Sequence, residues 1–317
     1  MGIVMNLYAP EYYKEFRCIA DKCTHSCCIG WEIDIDEETL QKYQALNGGY
    51  AEAIKNSIDF EETPHFRLCR HEKCPHLNQK GLCNIILNYG EGFLCEICRE
   101  HPRFYNETSK GLELGIGMAC EEAARIILSA KNYQTLYSVG EYHSGEYEFD
   151  FNAVDCREGI YKIISNEAKP YEERIKELYA FYGIYPNAIP DSRWKEVIKS
   201  LEYLDQGHKE LFLNYSSAVC SCADVYSERA LAYFIYRHCS GATDQEEFYA
   251  SLGFSLFLER LFASVIKSRG AKELAEISTL ARIISEEIEY SADNTNALKK
   301  YGCKQLFPID KKPRNRL

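Results

Sequence analysis

The hydrophobic pattern of the second half of the chain predicts a series of amphipathic helices. Apolar residues recur at helical spacing, for example at Leu252, Leu256, Leu261 and Phe262, as expected for helices that bury one face. Glycine and proline mark several helix ends, such as Gly183. The predicted helices cover residues 171–182, 191–204, 209–222, 227–239, 244–268 and 272–290.

The first half has a less regular pattern. A helix is predicted to begin at Asp36 and to continue to Leu46, and a second helix is predicted over residues 50–58. Short strands are predicted at residues 65–69 and 112–118, followed by a helix that begins near Cys120 with acidic residues in its first turn. We therefore predict a mainly α protein. An irregular cysteine-rich metal-binding module with short strands is expected over residues 1–130, and a helical C-terminal domain over residues 131–317.

Charge and the N-terminal residues limit the compartment and the partners. The chain has 37 basic and 48 acidic residues, a net charge of −11, which argues against nucleic acid as a partner because phosphate binding needs a basic face. We find no secretory signal and no run of about 18 apolar residues that would span a bilayer. These features predict a cytoplasmic protein without membrane association, and they leave the oligomeric state open.

The cysteines are the strongest chemical signal in the chain. Ten of the 15 fall in the first 120 residues. Cytoplasmic thiols stay reduced, and an odd number cannot pair completely, so the pattern favours soft-metal binding over disulfides. Nine of the ten form one pattern and are the candidate metal ligands: Cys18-x4-Cys23-x3-Cys27-Cys28, Cys74-x8-Cys83-x11-Cys95-x2-Cys98, and Cys120.

The spacing of these cysteines leaves the metal and the number of centres open. Cys95-x2-Cys98 is the most informative pair, because two intervening residues allow both thiolates to reach one metal. Adjacent side chains diverge, so Cys27 and Cys28 are expected to serve different centres, or one as ligand and one in the core. Zinc and iron–sulfur clusters both take about four thiolates. The CxxxCxxC motif of radical S-adenosylmethionine enzymes is incomplete, since Gly30 stands where the motif has its third cysteine.

The cysteines and their flanking residues resemble the flagellin lysine N-methylase family and, more distantly, the CxxCxxxCC zinc- or iron-chelating proteins. The resemblance covers residues 16–128, and the helical remainder fits more loosely. Two departures are Glu121, where the family often has proline, and His101, where tyrosine is common. The segments that carry the resemblance are residues 16–23, 26–36, Cys74-Pro75-His76-Leu77-Asn78, Gly81-Leu82-Cys83-Asn84-Ile85, residues 94–103 and residues 120–125.

The resemblance implies methyl transfer from S-adenosylmethionine to the ε-amine of lysine on a flagellin-like protein, with a 4Fe–4S cluster bound by the cysteine module. Zinc is the alternative metal. Lysine must lose its proton before it is methylated, and its ordinary pKa is about 10.4. Glu122, Asp34 and Asp36 are candidates for a base or amine anchor, with Tyr105 as a polar wall. The alternatives are a solvated strand end for Asp34, a helix cap for Asp36, and a partner of the helix dipole for Glu122.

Three further residues are candidates for cofactor binding. Trp31 follows the first cysteine group and can stack on an adenine ring or contact a methylammonium group. Arg103 can bind a carboxylate such as that of S-adenosylmethionine, although a structural ion pair explains it as well. His101 is a candidate proton carrier or additional metal ligand.

Two other functions fit the same residues. One is a non-catalytic zinc- or iron–sulfur-binding protein whose metal holds the fold while the helices bind a partner. The other is a cluster-dependent enzyme of another reaction type.

Overall fold

The computed structural model describes residues 3–144, 149, 151–185, 189–218 and 224–306. The chain is 55% helical and 13% strand, which confirms the mainly α fold class. The α-helices in the described residues are α1 Glu37–Ala45, α2 Ala51–Asn56, α3 Asn84–Tyr89, α4 Glu96–Glu100, α5 Glu121–Ser129, α6 Ala153–Ile164, α7 Tyr171–Tyr182, α8 Asp191–Ser200, α9 Gln206–Phe212, α10 Asp224–Cys239, α11 Gln245–Arg269, α12 Leu274–Ile284 and α13 Ala292–Leu306.

The strands form one four-stranded sheet and one two-stranded sheet. The larger sheet has the order β4-β5-β1-β6, in which β1 runs parallel to β5 and antiparallel to β6. The smaller sheet pairs β2 with β3. The strands are β1 Ile3–Pro10, β2 Ile58–Asp59, β3 His65–Phe66, β4 Arg103–Thr108, β5 Gly111–Ile116 and β6 Leu136–Ser144.

Local sequence signals explain where the longer helices begin and end. α7 follows Pro170, has acidic residues in its first turn, and ends at Gly183 in the left-handed conformation. α11 begins at Asp244, whose side chain accepts a hydrogen bond of 2.8 Å from the backbone N–H of Glu247, and ends at the left-handed Gly270. Both helices were predicted close to these bounds.

Three predicted helices differ from the structure. The helix predicted over residues 191–204 ends at Ser200, because Leu201 is extended. The helix predicted over residues 272–290 is α12 followed by a π-helix, Ser285–Glu289. Residues 209–222 were predicted as one helix. Instead α9 ends at Phe212. Just after this end, the side-chain amide of Asn214 donates a hydrogen bond of 2.9 Å to the carbonyl of Leu211. Residues 219–223 lie outside the described residues.

The first of two compact units is mainly helical and is called the helical unit. It contains residues 3–16, 104–119 and the described residues from 123 onward. α11 has 17 buried residues, including Phe254, Leu258 and Phe262. By length and composition α11 could cross a membrane, although no such run was expected from the sequence. Its most apolar window is 89% buried inside the protein, as in the core helix of a soluble domain.

The second unit, called the cysteine unit, contains residues 17–103 and 120–122. It is smaller than the module predicted over residues 1–130. The difference arises because β1 pairs with β5 and because the Tyr236 hydroxyl of α10 donates a hydrogen bond of 3.1 Å to the carbonyl of Leu114. These contacts join the first strand and residues 111–116 to the helices.

Candidate functional site

Five cysteines gather around the hydrophobic core of the cysteine unit, and they are called the inner thiols. Cys74 and Cys95 are buried within this core, beside Ile33, Tyr43 and Phe66. The remaining three, partly buried, pack against the same core, so that all five approach one another: Cys28, Cys83 and Cys98.

The pair Cys95 and Cys98 lies at the start of the short helix α4. Cys95 is the residue before the first turn, and its sulfur interacts by a side-chain hydrogen bond with Cys98. This hydrogen bond lowers the pKa of Cys95 and raises that of Cys98. The Tyr43 hydroxyl lies 3.6 Å from Cys95 Sγ and 2.6 Å from the carbonyl oxygen of Phe93. Position at a helix start also favours a thiolate.

Asp36 fixes the position of this pair. Its carboxylate accepts a hydrogen bond of 2.9 Å from the Thr39 backbone, which caps α1, and another of 2.8 Å from the Glu96 backbone at the start of α4. Burial opposes ionisation of Asp36, but the backbone hydrogen bonds outweigh it and lower its pKa. The residue predicted as a helix cap therefore also holds the helix that carries two inner thiols.

Four other cysteines form a second group, called the outer thiols: Cys18, Cys23, Cys27 and Cys120. Cys27 is close enough to Cys18 and Cys120 for their charges to interact, and Cys23 interacts in the same way with Cys120. Cys18 and Cys27 are exposed, whereas Cys23 and Cys120 are half-buried. Every described cysteine is in the thiol form, with no disulfide between them.

Glu121 organises the loop that carries Cys23. Its Oε2 accepts hydrogen bonds from the Thr24 backbone at 2.9 Å, the Thr24 hydroxyl at 2.7 Å and the His25 backbone at 3.1 Å. Cys23 Sγ lies 3.6 Å from the same oxygen and 2.8 Å from the carbonyl of His25. Burial opposes ionisation, but the Thr24 hydrogen bonds lower the pKa of Glu121. The departure from proline at this position thus has a structural role.

The adjacent residues Cys27 and Cys28 connect the two groups. Cys28 interacts electrostatically with Cys74, Cys83 and Cys98, whereas Cys27 faces the outer thiols. A hydrogen bond between the two thiols lowers the pKa of Cys28 to about 7 and raises that of Cys27. The two neighbouring side chains therefore diverge into different thiol groups.

The arrangement stops short of a formed metal site. Among the residues that the structure describes, no three His, Cys, Asp or Glu side chains are placed to hold one metal ion. The donor chemistry is nevertheless that of a soft-metal site, because the inner thiols pack around one core and hydrogen bonds lower the pKa values of Cys28 and Cys95. Metal binding would require these side chains to close around the metal.

The three predicted catalytic residues lie on different segments of the chain. Asp34 is exposed and pairs with His65 in an isolated β-bridge, as expected for a solvated strand end. Glu122 is half-buried in the first turn of α5. Tyr105 belongs to the helical unit, on β4, where 48% of its surface is exposed. Their catalytic roles stay predictions.

The predicted cofactor residues border the cysteine segments. Trp31 is half-buried in the loop that follows Gly30. His101 is the residue after α4 and is half-buried. Arg103 begins β4, and its Nη1 donates a hydrogen bond of 2.9 Å to the carbonyl of Arg99.

Sequence reasoning missed two residues that shape the core beside the inner thiols. His76 is buried, and its ring nitrogens lie 3.0 Å from the Tyr50 hydroxyl and 3.0 Å from the Ser57 hydroxyl. Burial lowers the pKa of His76 to about 4, so it is a neutral core residue. Tyr43 is the other; the helical spacing of Leu40, Tyr43 and Leu46 predicts its place on the buried face of α1, but no feature of the sequence marks it as a partner of Cys95.

Comparison with known proteins gives a partial match. The chain is 26% identical over 129 residues to the flagellar biosynthetic protein FliU of Salmonella muenchen, a match that covers 38% of this chain and 75% of that protein. It is also 26% identical over 129 residues to the lysine-N-methylases of Salmonella typhimurium and Salmonella choleraesuis.

This chain is similar to lysine-N-methylases. The similarity spans about a third of their length, 32% in each case, and 38% of this chain. No protein-family model matches the chain, and no solved structure resembles it.

Proposed function

We propose that this protein is an S-adenosylmethionine-dependent lysine N-methyltransferase that acts on a flagellin-like protein and binds an iron–sulfur cluster through its cysteine unit. The observation that carries the proposal is the 129-residue similarity to proteins named lysine-N-methylases. The flagellar name of a third relative supports a flagellar substrate.

The inner thiols are the proposed cluster ligands. Four thiolates are the usual number for one cluster, and the five inner thiols exceed that number by one. They lie together in a core that excludes water, which suits a cluster sensitive to solvent. When bound, the cluster would supply one-electron chemistry. Cys28 and Cys95 are the inner thiols whose pKa values are lowered, because Cys27 and Cys98 donate hydrogen bonds to them.

The outer thiols offer a second set of soft ligands. Glu121 holds the loop of Cys23 in place through the hydrogen bonds that it accepts from the backbone of residues 24 and 25. Cys27 and Cys28 link the two sets through adjacent backbone positions. Variants that each replace one outer cysteine, analysed for their metal content, test whether the outer thiols bind a second metal.

The substrate lysine must be neutral when it reacts. Its ordinary pKa is about 10.4, so the site must remove it from water or accept its proton. Glu122, Asp34 and Tyr105 are proposed for this role, and Trp31, Arg103 and His101 for contacts with the methyl donor.

A non-catalytic metal-binding protein is the second candidate. The observation that favours it is the placement of the inner thiols in the core of the cysteine unit beside Tyr43 and Phe66. A metal at this position would stabilise the fold of the unit whether or not any reaction follows.

Methyl transfer is the direct test of the proposed function. The protein, purified without oxygen, is incubated with S-adenosylmethionine, a reductant and flagellin, and the flagellin is examined by mass spectrometry. We expect mass increments of about 14 Da on lysine. A flagellin with its surface lysines changed to arginine is the control. Failure to label any lysine, on flagellin or on a library of lysine peptides, by protein with a full complement of metal would favour the non-catalytic function.

A further inference from the structure

A cavity of about 430 Å³ opens in the helical unit, on residues that have no part in the thiol groups. Its size falls within the range of small-molecule sites, roughly 300–1,000 Å³. One wall comes from β4, another from the end of α10, and a third from the π-helix and the start of α13. Its lining includes Phe104, Asn106, Arg237, His238, Glu289 and Tyr290.

Arg237 is held rigidly in the wall of this cavity. Its guanidinium carbon lies 4.9 Å from the centre of the Phe104 ring and 4.8 Å from that of Tyr290. Its side chain is only 12% exposed. When aromatic rings cover the faces of a guanidinium, a ligand can approach it only in its plane. A planar carboxylate is recognised in this geometry.

Glu289 neutralises Arg237 and is itself fully occupied. Its carboxylate is buried, lies 3.4 Å from Arg237 Nε, and accepts hydrogen bonds from Tyr233 at 3.1 Å and from His238 at 2.7 Å. The Tyr233 hydroxyl in turn accepts from Arg237 Nη1 at 2.9 Å and from the Met118 backbone at 3.1 Å. The network uses both lone pairs and the proton of this hydroxyl. It serves to position Arg237 rather than to bind a ligand.

Two polar groups on the wall stay open for a ligand. Within the described part of the chain, no hydrogen bond reaches Arg237 Nη2 or Asn106 Oδ1. The Asn106 amide nitrogen donates to the carbonyls of Tyr236 at 3.0 Å and Arg237 at 3.2 Å, so this side chain is fixed beside Arg237. A guanidinium donor and an amide acceptor therefore belong to two residues that line the same cavity.

We propose that this cavity binds an α-amino acid group, with its carboxylate on Arg237 Nη2 and its ammonium on Asn106 Oδ1. The group has an anionic end that suits the donor on Arg237 and a cationic end that suits the acceptor on Asn106. It carries no net charge, and the charges of Arg237 and Glu289 on the wall also cancel. It can belong to a free amino acid or to the amino-acid end of the methyl donor. Only the second case rests on the proposed function.

Calorimetric titration of the full chain distinguishes these sources. The probes are S-adenosylhomocysteine, L-methionine and L-lysine, with 5′-methylthioadenosine as the matched compound that lacks the amino acid group. We expect at least one of the first three to bind, and 5′-methylthioadenosine to bind at least about tenfold more weakly, as loss of a charge-assisted hydrogen bond implies. Binding by the free amino acids assigns that source, and binding by S-adenosylhomocysteine alone assigns the methyl donor.

Two variants test the residues. Arg237→Met with Glu289→Gln removes both charges together and leaves no buried charge unpaired. It should weaken binding at least about tenfold, while Arg174→Met with Glu228→Gln, which removes a buried ion pair outside the cavity lining, should stay within about threefold of the unmodified protein. Circular dichroism and thermal unfolding check that both variants fold. The proposal is overturned if no α-amino acid probe binds, if 5′-methylthioadenosine binds as tightly as S-adenosylhomocysteine, or if the double variant binds normally. These titrations measure binding without turnover, so they are independent of methyl transfer.

Discussion

Glu121 Oε2 accepts a hydrogen bond of 2.9 Å from the backbone N–H of Thr24, and this bond joins the start of α5 to a loop 97 residues earlier in the chain. Cys23 and Cys120 are the residues immediately before these two partners. The hydrogen bond therefore holds two cysteines of the outer thiols near each other.

Replacing Glu121 by alanine should loosen the loop of residues 23–25. The lost hydrogen bonds are partly exposed, so we expect a local cost of about 1 kcal/mol, which corresponds to roughly fivefold faster amide exchange at Thr24 and His25. Hydrogen exchange followed by mass spectrometry measures this change. Glu122→Ala is the matched control and should leave these amides as they are. Equal exchange in the two variants would contradict the role of Glu121.

Replacing Cys98 by serine should remove most of the bound metal. Cys98 lies among the inner thiols and is hydrogen-bonded to Cys95, whereas Cys69 is exposed in the same unit and outside both thiol groups. Cys69→Ser is therefore the control and should retain its metal. Elemental analysis of both variants, purified without oxygen, gives the answer. Normal metal content in Cys98→Ser would remove this residue from the ligand set.

Gly115→Ala should destabilise the helical unit and disturb the cavity beside Arg237. A Cβ at this position would lie 2.2 Å from Cζ of Phe104, the ring that stacks on the guanidinium. Overpacking of this kind costs about 1–3 kcal/mol. In contrast, a Cβ on Gly159, within α6, meets nothing within 4 Å, so Gly159→Ala should stabilise by about 0.5–1 kcal/mol. Denaturant unfolding measures both, and equal effects would contradict the close packing at Gly115.

Much of the helical unit could be predicted from sequence, because its signals are local. Pro170 and Gly183 mark the two ends of α7, and apolar spacing predicts α11. The pairing of β1 with β5 could not be predicted, since it joins Leu7 to Leu112 across more than 100 residues and has no local signal. The cysteine pattern likewise located the candidate site, but it could not show which cysteines form the inner thiols and which form the outer thiols. That division depends on the path of the chain through Cys27 and Cys28, and on Glu121, whose partners are distant in sequence.

Stability should fall as the pH is lowered through the range set by His238. Burial lowers the pKa of His238 to about 4 from 6.5, so the unfolded chain takes up a proton at higher pH than the folded protein does. The contribution of the neutral ring is complete above pH 6.5 and declines toward pH 4, on the order of 1 kcal/mol per pH unit. Glu289 has a lowered pKa as well, so its contribution is lost at still lower pH.

The variant His238→Gln should flatten this dependence. Urea unfolding at a series of pH values between 4 and 7 measures the slope. His71 is exposed and has a left-handed backbone, a conformation that asparagine tolerates, so His71→Asn is the control and should keep the original slope. A slope unchanged by His238→Gln would contradict its burial in the neutral form.

The proposed function depends most directly on what the inner thiols bind. Protein purified without oxygen should be brown, absorb near about 400 nm, and contain iron and acid-labile sulfide in equal amounts, at about four of each per chain for one cluster. Cys18→Ser, which changes an outer thiol, should keep this cluster, and Cys95→Ser should lose it. A colourless protein with stoichiometric zinc, or a protein without metal, would contradict the account.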